Sequence, residues 1–227
     1  MKRVSFLSFC SILVMALILS SAFCGYANSQ SKSKVVVEKM KEALVDLVSA
    51  EVFFNYELVS STGMSQGGNA GFFVVQGDAY NMSIDSYSVY CDGSTKWVHD
   101  LDNNEITIFP YDGKDVSFLE NPMTILKNFN AADYRIPERI EVVGSGKNSC
   151  YKLVVADKKK DEVFKQIIIY VSVSDFLPRK IDFTGRNGDR YVLDINSIVS
   201  VAEKSIEFFS PDKSLLEDPE VYVTDMR

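Results

Sequence analysis

Apolar and polar side chains alternate along most of this chain in short runs separated by turn residues. Between Tyr80 and Ile108, one parity holds Tyr80, Met82 and Ile84, the next Tyr87, Val89 and Cys91, then Trp97 and His99, then Ile106 and Ile108. Asp92-Gly93 and Asp102-Asn103-Asn104 break these runs. Period-two alternation bounded by such residues predicts two-faced strands in an antiparallel meander. Upstream, Val52, Phe54, Tyr56 and Leu58 share a parity within Glu51–Leu58, and Ala70–Gln76 faces Ala79–Ile84 across the tight turn Gly77-Asp78. Ser60 to Asn69, with Gly63, Gly67 and Gly68, reads as a flexible hairpin loop.

Two stretches change period. Val37, Met40, Leu44, Leu47 and Val48 fall at helical spacing within Val35–Val48, with Glu38, Lys39, Lys41, Glu42 and Asp46 opposite. That pattern predicts an amphipathic helix whose stripe covers a sheet. Past the turn-rich stretch Phe109–Leu119, Asn121 is placed to cap a second helix, with Pro122 at its first position and Met123, Ile125, Leu126 and Phe129 following. The second half returns to strands at Ile140–Val143, Tyr151–Ala156, Gln166–Ser172, Lys180–Thr184 and Tyr191–Ile198, with a charged hairpin tip at Lys158–Glu162. A tail from Ser210 holds Pro211, Pro219 and the short apolar run Val221-Tyr222-Val223. The expected class is mainly β with helices (α+β), about ten or eleven strands and two or three helices.

The first 27 residues read as a leader. Lys2 and Arg3 precede an apolar run through Ile12–Leu19 that ends in small residues, the layout of a cleaved secretory signal. Two exits compete. Gly25-Tyr26-Ala27 fits cleavage before Asn28, whereas Cys24 would have to be lipidated and follows Phe23 where a lipoprotein signal places a small residue. The expectation is a soluble exported chain, with residues 28–227 forming one domain.

Charge narrows the partners. The full chain carries −7, and losing Lys2 and Arg3 with the leader takes it to −9. Nucleic acid and anionic membrane surfaces need clustered cations, so neither is the expected main partner. Outside the leader only Cys91 and Cys150 remain, and an oxidising compartment permits a bridge between them. They lack the C-x-x-C spacing of a redox motif, and two thiols do not complete a metal site.

Catalytic chemistry finds little material. His99 is the one histidine, which is poor stock for a zinc site and allows at most one His-based triad. No serine sits in a G-x-S-x-G turn and no glycine-rich loop opens a helix. Asp85, Asp92, Asp100 and Asp102 offer carboxylates, but most fall at strand ends or turns, where Asp is ordinary punctuation. No enzyme and no cofactor is expected.

A binding role has a physical driver, because a curved sheet can enclose an apolar concavity lined by alternate side chains. Tyr90-Cys91-Asp92-Gly93-Ser94-Thr95-Lys96-Trp97-Val98-His99-Asp100 followed by Asn104–Ile108 resembles the "DG.T.W.Y…..V.I" signature of the periplasmic outer-membrane lipoprotein carrier family (LolA-like). Gly71–Tyr80 resembles that family's "G.F.…G..F" strand pair, Asn121–Leu126 its "NP..iL" helix start, and Asp175–Gly188 its "lP..i.f.d..G" passage. The resemblance implies an unclosed antiparallel β-barrel with a helical lid or plug. It implies a non-catalytic, monomeric periplasmic carrier of lipoprotein acyl chains, loaded by an inner-membrane lipoprotein-releasing ABC transporter and emptied by an outer-membrane acceptor.

Candidate cavity-lining residues are Phe54, Phe72, Val74, Tyr80, Met82, Trp97, Ile106 and Ile108, with Met123, Leu126 and Phe129 on the plug. His99, where the motif has an aromatic, is expected in the wall or at its rim. Two departures stand out: Gln76 occupies the turn where the family carries a lid-latching Arg, and Met82 replaces the Trp just after it. They leave open another lipid cargo, or an envelope adaptor whose concavity is filled by its own side chains and which binds a protein partner.

Overall fold

Hairpin register decides the architecture of this chain, seen here in a computed structural model that describes residues 31–111, 134–157 and 164–227. All of them belong to one compact unit, Ser31–Arg227. The leader, the helix expected after Asn121 with Met123, Leu126 and Phe129, and the tip Lys158–Glu162 lie outside the described residues.

Helix α1 (Lys32–Val45) comes first. Ser31 caps it, its hydroxyl accepting from the Lys34 N–H, so that one of the orphan donors of the first turn is satisfied. The helix starts and stops three residues earlier than the periodicity predicts, because the chain must already be extended at Ser49 to open the sheet. Val36, Val37, Met40 and Leu44 are buried on its inner stripe, each contributing about 2 kcal/mol by removal from water.

Thirteen strands follow among the described residues: β1 (Ser49–Val59), β2 (Ser65–Gln76), β3 (Ala79–Ile84), β4 (Tyr87–Cys91), β5 (Thr95–Asp100), β6 (Glu105–Pro110), β7 (Tyr134–Arg135), β8 (Glu141–Val143), β9 (Cys150–Asp157), β10 (Phe164–Ser172), β11 (Pro178–Gly185), β12 (Arg190–Ser200) and β13 (Tyr222–Asp225). The count exceeds the expected ten or eleven through the two-residue β7 and the tail strand β13. The expected loop Ser60–Asn69 is shorter than its glycines suggest, since β2 already begins at Ser65 and pairs with β1.

The sheet runs β13-β6-β5-β4-β3-β2-β1-β12-β11-β10-β9-β7, with β8 beside β9, and its two ends do not pair with each other. Most neighbours in sequence are neighbours in the sheet; the exceptions are the β1–β12 junction that joins the halves, β7, which pairs with β9, and the returning β13. Hydrogen-bonded rows are about 4.8 Å apart, so β4 and β9, seven rows apart, stand about 34 Å from each other along the sheet. Yet Val89 and Cys91 of β4 share one apolar cluster with Leu153 and Val155 of β9 and with the stripe of α1. The sheet therefore curls around the helix: an unclosed, almost wholly antiparallel β-barrel with a helix inside its curve. A register shift at Phe53/Phe54 in the β1–β12 pairing adds local bending at the seam.

A loop anchors α1 to the far wall. Phe176 has φ +58, costly for a bulky residue, and is held there by stacking on Tyr151 at 6.1 Å and by the Lys39 ammonium 4.7 Å over its ring. Ser33 of α1 also donates a short hydrogen bond to the Pro137 carbonyl.

After β12 the chain crosses the outer face of β2–β6. Val201 N–H donates to the Ser49 carbonyl, the Gln76 amide exchanges two bonds with the Lys204 backbone, and Asn81 Nδ2 donates to the Phe208 carbonyl. The helical turn α2 (Lys213–Leu216), capped by Asp212, precedes β13. This long return lets β13 lie parallel to β6, the one parallel pair among the described strands.

Gly71 tests the packing of the inner face. It opposes Phe54, and a Cβ there would overlap the Phe54 ring. Gly71→Ala should cost about 1–3 kcal/mol in chemical denaturation, as expected for overpacking a fitted wall. Unchanged stability would show that the ring is not confined.

Candidate functional site

The two-residue turn Gly77-Asp78, with Gly77 at φ +58, sets which side chains share a face. Gln76 opposes Ala79, so Val75 opposes Tyr80 and Phe73 opposes Met82. On the other flank Val52 opposes Phe73, and Phe54 opposes Ile195 of β12. The inner face thus carries Val52, Phe54, Phe73, Val75, Tyr80 and Met82, and the outer face Phe72 and Val74.

On this face, with no residue of α1 in its lining, the barrel leaves an open-mouthed apolar cavity of about 60 Å³. Strand β1 supplies Phe54, Tyr56 and Glu57 to its wall, β2 Phe73, β3 Met82 and Ile84, β11 Phe183, and β12 Tyr191, Val192 and Leu193. Phe54 and Phe73 meet at 5.8 Å between centroids, and Phe183 stacks on Tyr191 at 5.2 Å. Aromatic pairs of this kind stiffen a wall while keeping it greasy. A single ordered water needs about 10–15 Å³ by this measure, so the hollow takes a few waters or a short length of one alkyl chain.

Polar groups lie at this end of the sheet on both faces, Tyr56 and Asn69 on the inner one and Glu57, Asp182 and Arg190 on the outer one. The Tyr56 hydroxyl donates to Asp85, which also accepts from Asn69 Nδ2 at 2.5 Å. Ser65 Oγ donates to Glu57 Oε1 at 2.6 Å. Asp182, only 5 % exposed, is held by Arg190 through two bonds of 2.8 and 2.5 Å, and this hydrogen bonding raises the Arg190 pKa. Ser61 N–H donates to Asp189 at 2.9 Å, tying one rim loop to another.

The sequence candidates divide between the two faces. Phe54 and Met82 line the cavity. Tyr80 lies on the same face but deeper, edge-on to Tyr111 at 6.2 Å. Phe72 and Val74 sit on the outer face around Phe209 of the returning chain, together with Ala79. Trp97, Ile106 and Ile108 are also outside, packed with Val221, Leu215 and Leu216. The reason is register: Cys91 opposes Lys96, so Val98 and not Trp97 shares the face of Val89. Met123, Leu126 and Phe129 lie outside the described residues and take no part in this site. Tyr56, Glu57, Phe73, Ile84, Phe183, Tyr191, Val192 and Leu193 were missed; the turn at Gly77-Asp78 alone could have found Phe73.

His99, expected in the wall or at its rim, is buried on the outer face beside Trp97, and its Nε2 has no hydrogen-bond partner among the described residues. The aspartates act as turn residues. Burial opposes the charge of Asp92, but the Thr95 and Ser94 N–H groups and the Ser94 hydroxyl outweigh it and hold the carboxyl below its ordinary value. Asn103 does the same for Asp100 through its side chain and backbone. Gln76, at the position where the resembling family carries an Arg, faces away from the cavity and pins the returning chain at Lys204. Among the described residues no three His, Cys, Asp or Glu side chains gather as metal ligands, and no helix is long and apolar enough to cross a membrane.

The bridge permitted between Cys91 and Cys150 is not formed. Both are buried free thiols, on strands seven rows apart in the sheet. Burial pushes the Cys91 thiol up to about 11 and raises Cys150 as well, so neither is a ready nucleophile. Alkylation mapped by mass spectrometry should leave both unmodified in the native protein and modify both in denaturant; a Cys91–Cys150 crosslinked peptide would contradict this.

No family model matches the sequence, and no curated protein matches it. Solved structures do. An uncharacterized conserved protein from Thermus thermophilus is similar at 11 % identity and a TM-score of 0.54, over 85 % of this chain and 98 % of its own. That likeness shows a shared fold. A LolA superfamily protein from Nitrosomonas europaea is similar at 13 % identity and a TM-score of 0.42, over 79 % and 97 % of the two chains. A putative outer membrane lipoprotein-sorting protein domain from Vibrio parahaemolyticus is similar at 10 % identity and a TM-score of 0.40, over 78 % and 97 %.

Proposed function

We propose that this chain is a non-catalytic carrier that shelters a hydrocarbon tail in the cavity between Phe54, Phe73, Met82 and Phe183. The observation that carries the reading is the hollow itself: an apolar inner face, buried along α1, that is left open at one end of the barrel. Each methylene moved from water into such a site contributes about 0.8 kcal/mol. A few of them suffice for reversible binding, which a carrier needs because it must also release.

The family motifs quoted from the sequence supply the biological setting. In that setting the leader directs export to the periplasm, residues 28–227 act as one monomeric domain, and the cargo is an acylated lipoprotein or a related lipid. An inner-membrane ABC transporter loads it and an outer-membrane acceptor removes it. The volume of about 60 Å³ holds only part of an acyl chain, so a longer tail is accommodated by widening the mouth or by lying partly outside it. Met82, unbranched and flexible, is the wall residue best suited to yield. The alternative of an adaptor with a self-filled core is disfavoured by the open cavity.

Met82→Trp places a large ring in the hollow. Binding of a fluorescent fatty-acid probe to the delipidated protein should weaken at least about tenfold, the loss expected when roughly two methylenes lose their place. The circular dichroism spectrum should be unchanged. Equal affinity in the folded variant would remove the cavity from the binding reaction.

A further inference from the structure

Burial falls along the inner face and marks where the cavity opens. On β1, Val52 and Phe54 are buried and Tyr56 is half-buried; on β3, Tyr80 and Met82 are buried and Ile84 is half-buried. Tyr56 and Ile84 therefore stand at the mouth, and both line the cavity. The Phe54 ring lies over Gly71, so Tyr56 is the next ring outward on β1. Tyr56 is tied down there. Its hydroxyl donates to Asp85 Oδ2, while Asn69 Nδ2 donates to Asp85 Oδ1 at 2.5 Å and to the Tyr56 hydroxyl at 3.4 Å. Asn69 opposes Tyr56 on the inner face, and Asp85 opens the two-residue β3–β4 turn at φ +50, directly after Ile84. The tether thus crosses from β1 over β2 to the end of β3.

Resting on the carrier reading above, we propose that Tyr56 is the specificity-determining residue of the cavity and sorts straight-chain tails by length. A tail short enough for the hollow of about 60 Å³ binds with the tether intact. A longer one pushes the Tyr56 ring aside, and the ring moves only when its hydroxyl leaves Asp85. Met82, deeper in the same wall, yields by changing rotamer alone. Breaking the tether weakens binding about fivefold, the net worth of one hydrogen bond to a partly solvated carboxylate. Each further methylene that is covered strengthens it about fourfold. Long tails are therefore bound, but with a constant handicap that short ones escape.

The test titrates straight-chain alkanoates from hexanoate to tetradecanoate, each below its aggregation concentration, into the delipidated protein and into Y56F and D85N. Y56F keeps the ring and loses the hydroxyl; D85N keeps a residue that tolerates the left-handed turn and loses the charge of the acceptor. The shortest members should bind Y56F and the wild type equally, and the longest should bind Y56F about fivefold tighter, with a step between. In D85N the ratio to wild type should rise about twofold at the same length. The head group is common to the series, so a changed charge at the mouth shifts every member alike and only the tether produces a step. A ratio that stays constant along the series in either variant overturns the assignment while leaving an acyl carrier standing. Binding of no member to the wild type overturns the carrier reading itself.

Discussion

The apolar inner face of this sheet must be buried, and among the described residues one helix, α1, packs against it. Strands β1–β4 and β9–β12 all present their greasy parity to the same side, and α1 fills the curve with Val36, Val37, Met40 and Leu44. Fourteen residues of helix reach along only a portion of strands that run to eleven and twelve residues. Residues of β1, β2, β3, β11 and β12, and none of α1, line the cavity.

The outer face is treated differently. The returning chain after β12 lays Phe209 over Val74 and Ala79, and Val221 with Leu215 and Leu216 over Trp97, Ile106 and Ile108. Side-chain amides pin it by their backbone bonds: Gln76 at Lys204, Asn81 at Phe208 and Asn104 at Glu220. The chain therefore has two apolar faces but closes one with its own tail, which explains why residues that look equally greasy in the sequence divide between structure and site. It also gives Gln76 a purpose at the position where the resembling family carries an Arg.

Much of the fold was legible beforehand. Strand periodicity placed the meander and most of the second half, and the helix at the start was found within three residues. The open antiparallel barrel expected from the motifs is the architecture observed. The site was legible only in part, because alternation identifies two faces without saying which is inside. Phe72 and Phe73 are adjacent and equally apolar, and only the Gly77-Asp78 register sends Phe73 inward with Met82. The wall from Phe183 and Tyr191–Leu193 depends on the β1–β12 pairing, a contact between residues about 140 apart in sequence that local pattern cannot reveal. The tail strand β13 escaped for the same reason: four residues pairing at long range with an edge.

The central claim is a hollow that hydrocarbon enters from one end of the barrel. A crystal structure of the protein soaked with a terminally brominated alkyl chain tests it most directly, since the bromine marks the tail by anomalous scattering. The account predicts a bromine peak enclosed by Phe54, Phe73, Met82 and Phe183; peaks confined to the outer surface, around an interior closed by its own side chains, would contradict it.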